Sequence, residues 1–199
     1  MDPIALYEQK LHQTINSILG IDGVLEKTHY SNTQIEILHA WLVGFFINDY
    51  EKYLSKNALP FDRRNLQITT QLVSEGMSNI SVEVLNQYKT FYTKYLELYQ
   101  FVPVSYGITQ KINTQSRLGL NIEILFDRFE VGHFFILSKM LSSIKKAFYE
   151  ITIIRNAWSV PTFKENIDNY YFEQNGPEYD LEEAIEQMAE TTLHQLGIQ

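Results

Sequence analysis

The stretch SNTQIEILHAWLVGFFINDYEKYL, residues 31–54, decides the fold. It opens with Ser31-Asn32-Thr33-Gln34, a capping box in which the Ser side chain and the Gln side chain each serve the other's backbone N–H. Ile35, Val43, Phe46, Tyr50 and Tyr53 follow on one side at helical spacing. Pro60 closes the region. The stretch predicts a long helix with an apolar face that must be covered by other helices.

The same periodicity extends in both directions. Upstream, Asp2-Pro3 predicts an N-cap followed by proline at the first helical position. Ile4, Tyr7, Leu11, Ile15 and Ile18 continue it as a stripe that Gly20 and Gly23 close. Downstream, Asp62 predicts the start of a shorter helix to about Met77, and Ser81 the cap of a fourth to about Val102. Tyr88, Tyr92, Tyr95 and Tyr99 share one side of that fourth helix. Residues 103–115 lack periodicity and read as a loop.

A long helix, open to interruption at Gly132, is expected from about Ser116 to Trp158, with Ile122, Phe126, Phe129, His133, Leu137, Met140, Ile144 and Ile151 as its stripe. Pro161 stops it. Thr162-x-x-Glu165 caps a short helix to about Phe172, and Asp180-x-x-Glu183 starts a last one with an acidic outer face, spanning about 180–196. Strand-like alternation is nowhere sustained. The expectation is an all-α fold, a single helical bundle over residues 1–199 with long helices, added short ones and a peripheral acidic C-terminal helix.

Composition narrows the function classes. A net charge of −8 with no basic run disfavours nucleic acid and anionic membranes as partners. The absence of cysteine removes disulfides, thiolate metal sites and thiol nucleophiles. No apolar run approaches the ~20 residues that span a bilayer. The N-terminus lacks the basic and apolar regions of a secretory signal, which sets a cytoplasmic location as the expectation. Homo-oligomerisation is open.

Specific chemistry is suggested by two Glu-x-x-His motifs, Glu36 to His39 and Glu130 to His133. Residues three apart share a helical face. At ~100° per residue all four fall within the apolar arcs of their helices. Buried carboxylates are costly unless paired or metal-bound. The pattern resembles the ferritin-like di-iron carboxylate bundles, in which two helices carry Glu-x-x-His and two others one Glu each. The resemblance covers four short stretches. It implies Glu36, His39, Glu130 and His133 as metal ligands, with Glu8 as the lone carboxylate of the first helix. Glu97 has the right spacing for the matching carboxylate but the wrong phase. Glu123, one heptad before Glu130, takes its place, a departure that leans toward heme-oxygenase-like di-metal oxidases.

What the resemblance implies is a non-heme Fe or Mn protein, an O2-dependent oxidoreductase acting on a small apolar or aromatic molecule. Heme held by His39 and His133 is a lesser option. The Tyr88, Tyr92, Tyr95 and Tyr99 row would line the ligand pocket, face a partner, or form the core face of its helix. The alternative is a metal-free helical binding or regulatory module. In it the histidines are structural, held by hydrogen bonds, and an aromatic face takes a partner or small ligand.

Overall fold

A computed structural model describes residues 3–19, 25, 28–56, 80–108, 117–178 and 181–198. Asp2, Gly20, Gly23, Pro60, the expected helix over 62–77, Asp180 and the side chain of Ile4 lie outside the described residues. Among the described residues every regular element is helical and there is no strand. The fold is all-α. The chain divides into two compact units, residues 1–112 and 113–199.

In the first unit, α1 (Pro3–Leu19), α2 (Asn32–Lys56) and α3 (Val82–Lys94) are followed by 3-10 turns at Leu96–Phe101 and Val104–Tyr106. The capping box opens α2 as expected. The Ser31 N–H donates to Gln34 Oε1 at 3.0 Å, and the Gln34 N–H to Ser31 Oγ at 3.3 Å. Helix α2 is the centre of this unit. Ile37, Leu38, Trp41, Leu42, Val43 and Ile47 are all fully buried, so most of its circumference is covered. α3 crosses it at Gly44, where an added Cβ would stand 2.2 Å from the Tyr88 carbonyl oxygen and 2.8 Å from Tyr92 Cβ. Only glycine admits that approach. On its other side α1 buries Leu11, Ile15 and Ile18. Two tyrosines join α1 to α2: Tyr7 Oη donates to Asp49 Oδ2 at 2.9 Å, and Tyr50 Oη to Glu8 Oε1 at 2.7 Å.

The second unit holds α4 (Ile122–Arg128), α5 (Val131–Leu137), α6 (Ser143–Asn156), α7 (Val160–Asp168), α8 (Tyr171–Asn175) and α9 (Leu181–Gln195). The long helix expected over 116–158 is therefore three. Phe129 and Glu130 are extended, at ψ 150° and 156°, and end the first piece. Ser142 caps the third, its Oγ accepting from the Lys145 N–H at 3.2 Å. The stripe survives the breaks: Ile122, Phe126, Phe129, His133, Leu137 and Ile151 are buried. Met140 and Ile144 are half-buried, so the spacing reported most of the burial, and the chain breaks at Phe129–Glu130 and before Ser142 rather than at Gly132 itself.

Pro161 also acts differently from expectation. It lies in the first turn of α7, where its missing N–H costs nothing, and Ser159 is the cap. α5 and α7 meet at Gly132, whose added Cβ would stand 2.9 Å from a Val160 methyl. α6 ends in a Schellman motif, with Trp158 N–H to Ile153 O at 3.0 Å and Ala157 N–H to Ile154 O at 3.3 Å. Within the core of this unit Glu150 is fully buried and bound by Arg117 at 2.5 Å.

Candidate functional site

The second Glu-x-x-His motif sits at the break between α4 and α5. Glu130 is the N-cap of α5 and His133 its third residue. The Glu130 N–H donates to His133 Nδ1 at 3.1 Å. The Glu130 side chain turns toward the His133 N–H and completes a capping box, with imidazole where Glu or Gln is usual. The other ring nitrogen, Nε2, lies 3.0 Å from the carbonyl oxygen of Trp158 in the α6–α7 connection. A carbonyl only accepts, so Nε2 carries the proton and Nδ1 does not. The ring is neutral, with both nitrogens engaged by backbone.

The surroundings enforce that state. His133 is 2% exposed, between the rings of Phe129 at 5.1 Å and Phe163 at 6.0 Å. Burial lowers its pKa below the ordinary 6.5, against the smaller upward pull of the Glu130 carboxylate and the backbone acceptors. A metal ligand needs a free imidazole lone pair. Here the only lone pair is spent on the Glu130 N–H, so the donor set does not fit a metal at this histidine.

The other expected ligands are placed differently from the inward cluster. Glu36, Glu123 and Glu130 are exposed, and Glu8 and His39 are half-buried. The Glu8 carboxylate accepts from Tyr50. Glu8, Glu36 and His39 belong to the first unit, and Glu123, Glu130 and His133 to the second. Among the described residues no group of three or more His, Asp or Glu side chains is arranged to hold a metal ion. Periodicity gave the direction around α2 but not how far along it cover extends. Val43 is fully buried, while Glu36, two turns earlier on the same line, is exposed. For Glu130 the reason is the break itself, which ends the phase inherited from α4.

The tyrosine row is spread over a helix and the turn that follows it. α3 stops at Lys94, and Tyr95 leaves helical geometry at φ −134°, ψ 56°. Tyr92 packs edge-on against Trp41, ring centroids 5.0 Å apart, and against Phe45 at 5.6 Å. Tyr95 is fully buried beside Phe91, and its carbonyl accepts from Trp41 Nε1 at 2.8 Å. Tyr88 is half-buried, and its hydroxyl is held above the usual phenol range first by burial and then by the nearby Glu36 charge. Tyr99 Oη donates to the Ile108 carbonyl at 3.1 Å. Tyr92 and Tyr95 pack the core of the first unit, and Tyr88 and Tyr99 are half-buried at its edge.

The sequence reading missed a groove on the flank of α1. Lys10, Gln13, Thr14 and Ser17 line it, with Tyr106 opposite, around a volume of about 360 Å³. Lys10, Thr14 and Ser17 recur at four- and three-residue steps, a legible signal in retrospect. Tyr106 lay in the aperiodic stretch and gave none.

No known protein family matches the chain, and no curated protein or solved structure does. No helix among the described residues is long and apolar enough to cross a membrane.

Proposed function

We propose that this chain is a metal-free helical binding module. The observation that carries the reading is the His133 ring, whose single lone pair accepts from the Glu130 N–H while its N–H donates to Trp158. The most deeply placed of the six expected ligands is thereby a structural residue, joining the start of α5 to the α6–α7 connection. Glu8 supports the same reading, since its carboxylate serves Tyr50. The helices are scaffold, and recognition belongs to side chains on their outer flanks. The resemblance to di-iron bundles then reflects helical spacing that capping also uses, because a capping box places its two residues three apart.

Metal loading tests this. Protein purified without chelator and loaded anaerobically with Fe(II) or Mn(II) is expected to keep less than about 0.1 metal per chain and an unchanged Tm. Any ligand of the native state at 100 times its Kd stabilises by about 2.7 kcal/mol, a Tm rise of several degrees. One tightly held metal per chain with such a rise overturns the reading.

A further inference from the structure

The groove on α1 is lined by a polar strip that lies outside the helix's buried line. Around α1, Leu11, Ile15 and Ile18 define the buried line. At ~100° per residue, Lys10, Thr14 and Ser17 form the polar strip beside it, and Glu8 falls on the opposite flank, where it binds Tyr50. The one carboxylate of this part of α1 is therefore turned away from the groove. Among the described residues the lining holds an ammonium, two hydroxyls, an amide and a phenol, and no acid. Among the described residues no carboxylate pairs with Lys10. An ammonium donates three hydrogen bonds and accepts none.

The opposite wall is built. Tyr106 ends the 3-10 turn Val104–Tyr106, with its N–H on the Pro103 carbonyl at 3.1 Å. Gly107 follows at φ +66°, a left-handed conformation that favours glycine, and its N–H returns to the Val104 carbonyl at 2.9 Å. One residue further, the Ile108 carbonyl accepts from Tyr99 Oη. The turn is thus tied to the body of the first unit, and it sets a half-buried aromatic ring across from the Lys10 strip. The volume lies at the lower end of the roughly 300–1,000 Å³ typical of small-molecule sites.

We propose that this groove is a binding site for a small aromatic monocarboxylate. The carboxylate sits on Lys10 with help from the Thr14 and Ser17 hydroxyls, and the ring lies against Tyr106. One cation and no acid among the described lining residues select a single negative charge. The phenol ring selects a flat apolar body over a compact inorganic anion. The proposal names the ligand class of the binding module argued above and rests on that reading. The two fail separately, because metal uptake and carboxylate uptake are measured independently.

The test uses the full chain, observed by amide NMR during titration with benzoate, benzamide and inorganic phosphate. Benzoate is expected to shift amides of residues 10–17 and 106, while benzamide and phosphate leave them in place. Lys10→Met, a change at an exposed side chain whose fold is checked by circular dichroism, is expected to weaken benzoate about tenfold or more, as for loss of a charge-assisted hydrogen bond. Tyr106→Ser is expected to weaken it as well. The proposal is overturned if benzamide or phosphate binds as well as benzoate. It is equally overturned if Lys10→Met binds undiminished, if the shifts fall elsewhere, or if benzoate moves nothing up to about 20 mM.

Discussion

At the residue scale, His133 shows how one side chain satisfies two helix ends. The first N–H groups of any helix lack intrahelical partners, and so do the last carbonyls. The imidazole takes the Glu130 N–H at the start of α5 and gives its proton to the Trp158 carbonyl just past the end of α6. Both bonds need the neutral ring. The folded pKa is lowered, so the unfolded chain binds a proton more readily as pH falls through 6.5. Stability is therefore full above 6.5 and declines as pH drops through the folded value. His133→Gln keeps an N3 acceptor for the capping box but cannot titrate. Chemical denaturation of both proteins between pH 7 and about pH 5 is expected to show a smaller loss of stability for His133→Gln. Parallel pH profiles would contradict the assignment.

At the element scale, what was legible depended on whether the signal was local. The Ser31–Gln34 box and the Ser81 cap could be read directly, because each is a short-range bond between a side chain and the adjacent backbone. The breaks inside 116–158 were harder. Ser142 was a readable cap, but it competed with an apolar stripe that runs unbroken in spacing through all three helices. Glu130 and His133 were read as ligands because the same three-residue step serves a metal face and a cap alike. The Gly44 crossing was invisible, since nothing local says that a neighbouring backbone passes at that point. The end of α6 carries a prediction of its own. Ala157 is exposed and held left-handed at φ 49°, where an L-residue pays roughly 1–2 kcal/mol. Ala157→Gly removes that cost at the price of a floppier unfolded chain. It is expected to stabilise by about 1 kcal/mol and raise Tm by about 3 °C. A lower Tm would mean that the methyl group makes a contact the backbone geometry conceals.

At the scale of the whole molecule, helical periodicity was enough to establish an all-α chain, because strand alternation never competed with it. Charge was equally legible. Residues 165–199 carry nine acids and no Lys or Arg, so this end has no cation to set against a phosphate backbone. The ligand set was not legible. It required residues far apart in sequence to converge, and phase within each helix says nothing about convergence between helices. The central claim is that Glu130-x-x-His133 is a cap and the imidazole a structural link. The most direct measurement is the long-range 1H–15N spectrum of the His133 ring at pH 7, recorded before and after one equivalent of Mn(II). A neutral ring protonated at Nε2, with signals that Mn(II) leaves sharp, is the predicted result. A ring protonated at Nδ1, or signals broadened selectively by Mn(II), would contradict it.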